Sequence, residues 1–173
     1  MTQELIDLRA SILEGRYEDA LAIVDELDWM SKKATLRSIK SFLLRMLIHL
    51  IKNQLEQRLT NSWAASIRGS IVQIKDLNLQ DNKTSYYVKQ DEWETMLEDI
   101  LEQAVRDASV EAFNGAYNSF QLLEMVDRNE IIHIAKSLLD LTYNYSVKEF
   151  PAVVDDYLTR LPGGEDWQFG RQR

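Results

Sequence analysis

Over positions 42–51 the chain reads Phe-Leu-Leu-Arg-Met-Leu-Ile-His-Leu-Ile, apolar everywhere except Arg45 and His49. At 100° per residue, Leu36, Ile39, Leu43, Met46, Leu47 and Leu50 fall within one broad arc, and Arg45, His49, Lys52 and Glu56 form the opposite stripe. A helix apolar over more than half its surface must be covered on several sides. The pattern therefore predicts a long central helix over about 31–59, with Ser31 as its N-cap, running through the middle of a bundle.

The flanking segments carry the same period. Upstream, Thr2 can cap a helix bearing Leu5, Leu8, Ile12 and Leu13, and Gly15 can stop it. Tyr17, Ala20, Leu21, Val24 and Leu27 then share a second helical face, which predicts an αα-hairpin ending over 25–30. Its turn, 15–21, resembles part of a tetratricopeptide repeat. No second copy follows about 34 residues on, so a repeat array is not expected.

Downstream, Asn61-Ser62 predicts a break with Ser62 as N-cap, followed by the stripe Trp63, Ile67, Ile71 and Ile74. The polar stretch 79–85 reads as a loop, and Tyr86-Tyr87-Val88 is too short to establish a strand. Asp91 with Glu94 resembles a capping box opening a helix to about 113, on which Trp93, Leu97, Ile100, Leu101, Ala104 and Ala108 lie. Asn114-Gly115 ends it, and a short piece over 119–126 follows. Asn129 can cap a helix carrying Ile131, Ile132, Ala135, Leu138, Leu139 and Leu141. Pro151 suits the first turn of a last helix with Val154, Tyr157, Leu158 and Leu161 inward, stopped by Pro162-Gly163-Gly164. The expected fold is all-α: a bundle of about six to eight helices in one domain over 1–162, with a tail over 163–173 that is mobile unless Trp167 or Phe169 docks.

Composition supports this class. Among 173 residues, 45% are hydrophobic and 28% charged, enough apolar content to offset the entropy of ordering the chain. Six Gly and two Pro leave few obligate breakers. The absence of cysteine rules out disulfides, thiolate nucleophiles and thiolate metal sites. The start, Met1-Thr2-Gln3-Glu4-Leu5, lacks the basic-then-apolar run of a signal peptide, and no apolar run reaches membrane-spanning length, so a soluble cytoplasmic protein is expected, with no membrane partner.

A net charge of −8 argues against a general polyanion binder, yet residues 31–75 hold nine basic side chains against one acid, Glu56. Two readings follow. The basic segment lies against acidic helices of its own chain, or it offers an anionic partner a surface built from Lys33, Arg37, Lys40, Arg45, His49, Lys52 and Arg68.

Specific chemistry is thinly represented. Glu130-Ile131-Ile132-His133 is a Glu-x-x-His, but a di-iron bundle needs two of these, and Met46 stands three residues before the other histidine, His49. No metal or cofactor is expected. Nearby Arg45 and Lys52 disfavour a charged His49, which suits a neutral base, but no Ser or Thr is placed by sequence to use it. No catalytic residue is assigned.

The stretch 41–54, Ser-Phe-Leu-Leu-Arg-Met-Leu-Ile-His-Leu-Ile-Lys-Asn-Gln, and the following Asn61-Ser62-Trp63-Ala64-Ala65-Ser66-Ile67-Arg68 resemble the core of family 29 of the domains of unknown function. Glu26-Leu27-Asp28-Trp29 resembles the family's Leu-Asp-Trp element, and the resemblance extends over roughly residues 1–110. It implies a helical fold and a cyanobacterial or related bacterial source, and brings no catalytic residue. Asn53 stands where the family often has Trp and Ala64 where it often has Arg, so a surface shared by the family is expected to be altered here. The functional expectation is a non-enzymatic helical module acting through protein contacts, self-association included. The alternative is a nucleic-acid-associated regulator, such as an antitoxin, using the basic face of 31–75.

Overall fold

The computed structural model describes residues 1–80, 82 and 84–171. Among these, eight α-helices and no strand are present: α1 (Gln3–Leu13), α2 (Tyr17–Glu56), α3 (Asn61–Asn78), α4 (Trp93–Ala108), α5 (Ser119–Met125), α6 (Arg128–Leu141), α7 (Phe150–Leu158) and α8 (Gly164–Gln168). Leu79 and Tyr86 form a single antiparallel bridge. In the loop expected over 79–85, Asp81 and Lys83 lie outside the described residues, as do Gln172 and Arg173 of the tail. No described helix is long and apolar enough to cross a membrane.

The long helix is longer than its pattern indicated. The expected end at 25–30 and cap at Ser31 are corrected: α2 runs without interruption for 40 residues, about 60 Å. No Gly or Pro occurs between Gly15 and Gly69. Ser31, read as the cap, and Asp28, within the expected end of the hairpin, are exposed on the helix surface, where such residues cost little. The helix ends at Gln57, which takes φ +54.

Two compact units are distinguished, Met1–Ser38 and Ile39–Arg173. In the first, Gly15 at φ +75 turns the chain between α1 and α2, and Arg16 braces the turn with Glu14 and Asp19 at 2.8 and 2.9 Å. Only Ser11 and Ala20 are buried in this unit.

The second unit holds the core. Ile39, Leu43, Met46, Leu47, Leu50 and Ile51 of α2 are fully buried, each contributing about 1.5–3 kcal/mol relative to exposure. The stripe Trp63, Ile67, Ile71 and Ile74 of α3 is buried as its spacing predicts, as are Trp93, Leu97, Leu101, Ala104 and Ala108 of α4. Ile131, Ala135, Leu138 and Leu139 of α6 and Phe150, Val154 and Leu158 of α7 complete it. α4 packs on α5 and α6, and α7 packs on α3 and α6.

Several caps move by a residue or two. Thr60, not Ser62, caps α3 by accepting the Trp63 N–H at 3.0 Å. Asp127, not Asn129, caps α6 through the Glu130 N–H. Glu92 rather than Glu94 closes the turn before α4, accepting the Lys89 N–H at 3.1 Å. Pro151 sits in the first turn of α7 as expected. At the C-terminal end, Gly164–Gln168 forms α8, and the Trp167 indole docks by donating to Asn61 Oδ1 at 3.2 Å.

Candidate functional site

The first unit presents apolar side chains that no described residue of the unit covers. Leu5 and Ile12 on α1 are exposed, and on α2 so are Tyr17 (65%), Leu21 (63%) and Val24. On a helical projection Tyr17, Leu21 and Val24 lie within about 60° of one another, and Leu5 and Ile12 within about 20°. Met1 and, on α1, Leu5, Leu8, Arg9, Ile12 and Leu13 line a shallow apolar concavity. Single exposed leucines are ordinary; contiguous apolar faces mark contact sites.

The seven basic-segment residues singled out by sequence separate into different environments. In the first unit, Arg37 is exposed, and the Lys33 ammonium sits 4.9 Å from the centre of the exposed Trp29 ring. In the second unit, Lys40 is exposed and Arg45 lies 5.6 Å from the Phe42 ring centre. His49 Nδ1–H donates to the Arg45 carbonyl at 2.9 Å, which leaves Nε2 as the basic nitrogen. Burial pushes its pKa below the usual imidazole value; the Arg45 carbonyl opposes that shift and the Lys52 charge adds to it. The ring is therefore neutral at neutral pH.

Lys52 and Arg68 pair with acids elsewhere in the chain. The Lys52 ammonium is buried, 3.2 Å from Glu111 Oε2 and 4.7 Å from the Trp63 ring centre. Arg58 lies at the same 4.7 Å from that ring and pairs with Glu56, whose other oxygen accepts the Phe113 N–H. Arg68 binds Asp155 at 2.7 Å. The polar stripe of α2 thus faces largely into its own chain from Lys52 onward, and Arg45 remains its exposed member.

Asn53 and Ala64, the departures from the family pattern, are both buried, which corrects the expectation of an altered surface. Asn53 Nδ2 donates to the Arg58 carbonyl at 2.9 Å and the Pro162 carbonyl at 2.7 Å, fastening the end of α2 to the turn before α8. Beside it lies a cavity of about 570 Å³ lined by residues that include Arg58, Thr60, Asn61, Asp166, Trp167 and Arg171. Its size suits a small molecule. Several of its polar side chains are engaged within the chain: Arg58 with Glu56, Arg171 with Asp166 and Glu165, Asn61 with Trp167, and Thr60 with the Trp63 N–H.

Glu130 accepts from Gln54 Nε2 at 3.3 Å, His133 is exposed, and no group of three or more potential metal ligands of this kind occurs among the described residues.

The model of the family described as "Domain of unknown function DUF29" matches residues 16–129, most of the chain. The chain belongs to the DUF29 family. The match spans α2 to α5 and begins within the turn after α1, so it includes the helix around which the core of the second unit is built. Comparison with the curated proteins and with the solved structures yields no match.

Proposed function

We propose that this DUF29 chain is a non-enzymatic protein-interaction module whose contact surface is the apolar face of residues 1–38. The observation that carries this reading is the exposure of Leu5, Ile12, Tyr17, Leu21 and Val24 in a unit whose only buried residues are Ser11 and Ala20. Covering such side chains with a protein partner removes apolar area from water at about 25 cal/mol per Å². The engagement of the polar groups around the cavity, and of Lys52 and Arg68, supports a role in holding the fold.

The test is recovery of the tagged chain from its native source, with and without Leu21→Glu and Val24→Glu. The expected result is a stoichiometric protein, another polypeptide or a second copy, that is bound by the wild type and lost in the double variant. Recovery of the wild type alone overturns the reading. Both positions are exposed, so circular dichroism of the variant should match the wild type.

A further inference from the structure

The charge on α2 is segregated along its axis. From 17 to 28 it carries Glu18, Asp19, Asp25, Glu26 and Asp28 and no base; from 29 to 38 it carries Lys32, Lys33 and Arg37 and no acid. Asp25, Glu26, Lys32 and Arg37 make no ion pair with any described residue, and all four are exposed. At the boundary stands Trp29, 60% exposed, with Lys33 resting over its ring.

These residues share one face. At 100° per residue, Ala22, Trp29 and Leu36 recur at intervals of seven and stay within about 40° of one another, Asp25 and Lys32 lie on one flank, and Glu26 and Lys33 lie on the other. Ala22 is exposed and Leu36 half-buried, so the line is open to a partner. A seven-residue apolar line flanked by charges is what a second helix packs against, and the charges fix its direction and register.

We infer that α2 pairs with α2 of a second copy of this chain, antiparallel, about a two-fold axis at Trp29. The inference builds on residues 1–38 as an interaction unit but uses a different face from Leu21 and Val24. With the axis at residue 29, Ala22 lies level with Leu36 of the second copy, and on the two flanks Asp25 comes within one residue, about 1.5 Å, of the level of its Lys32 and Glu26 of its Lys33; the symmetry repeats each pair. In an antiparallel pair, each flank of one helix meets the same flank of the other, so acid meets base on both sides. A parallel arrangement sets acid against acid and base against base. The two Trp29 rings meet at the axis, where interfaces concentrate Trp. The complementary pattern is already written in this chain, which is the argument for a second copy as occupant.

Because the chain has no cysteine, introduced thiols report without background. Chains carrying Ala22→Cys and Leu36→Cys are mixed and oxidised. The paired register expects the mixed disulfide at least about tenfold faster than either homodisulfide, because a disulfide needs Cα atoms within about 7 Å and two copies of position 22 would stand about 21 Å apart. Fast self-linking of Ala22→Cys alone, as in a parallel pair, overturns the inference, as does equal, diffusive linking of all combinations. Charge exchange supplies the second readout. Glu26→Lys and Lys33→Glu each lower the association constant about tenfold, and the double exchange restores it; absence of rescue overturns the register. Failure of both readouts, with native assembly still dependent on Leu21 and Val24, removes this inference and leaves the proposed function standing. Loss of that dependence removes the proposed function instead.

Discussion

Replacing Asn53 by Asp keeps the shape of the side chain and removes its ability to donate. Asn53 is 1% exposed, and its amide nitrogen serves two carbonyls, those of Arg58 and Pro162, at 2.9 and 2.7 Å. A neutral hydrogen bond contributes about 0.5–1.5 kcal/mol net, and an unsatisfied buried group costs about 1–3 kcal/mol. Loss of two bonds to carbonyls that are only partly buried gives a destabilisation of about 2–4 kcal/mol for Asn53→Asp, with the buried carboxylate adding to it. Asn53→Ala carries a similar loss without the charge. Urea unfolding followed by circular dichroism measures both, and an unchanged m-value shows that the same surface is exposed. Hydrogen exchange of the amides over 163–168 should speed up locally, because the side chain ties that segment to the end of α2. A destabilisation below about 0.5 kcal/mol in both variants, within the scatter of ordinary surface changes, refutes the role assigned to this amide.

Two further outcomes follow from the same geometry. Folded His49 binds its proton less readily than the unfolded chain, whose value is 6.5, so below that pH the unfolded state holds more protons. The associated stability is fully present above pH 6.5 and falls as the pH drops towards the lowered folded value; His49→Gln should flatten that part of the stability profile, and an unchanged slope contradicts the assignment. At Gly163, φ is +71 and an added Cβ would lie 2.7 Å from Arg58 Cα and 2.8 Å from Leu59 N, whereas at Gly15, φ +75, nothing lies within 4 Å. Gly163→Ala should therefore lose stability beyond the roughly 1–2 kcal/mol cost of a left-handed conformation, and Gly15→Ala only that cost; equal denaturation midpoints for the two would refute the close approach.

The core was legible because burial imposes a period. The stripes of α3, α4, α6 and α7 appear in the sequence as Ile67-Ile71, Leu97-Leu101, Ala135-Leu139 and Val154-Leu158, and the structure buries each of these residues. Caps were legible only as a choice among neighbours: Thr60 and Ser62 are both good capping types, and chain geometry selected Thr60. The start of α2 was misplaced because Asp28 and Ser31 are capping types as well as tolerable residues on an exposed helix surface. The interior role of Lys52 depends on Glu111, 59 positions away, and that of Asn53 on Pro162, 109 positions away. No local pattern marks such pairs, which is also why the cavity between the α2–α3 turn and α8 left no trace in the sequence. Exposure of the apolar face at 5–24 was hidden for the opposite reason: an amphipathic stripe looks the same whether its partner lies in the chain or outside it.

The central claim is that this face is covered by protein in solution, and the mass of the native assembly tests it most directly. Light scattering on the chain recovered from its native source should give a mass well above the 20.2 kDa of one chain, and the Leu21→Glu, Val24→Glu variant should give a lower mass than the wild type because it loses the partner bound at this face. A wild-type species already at 20.2 kDa contradicts the account.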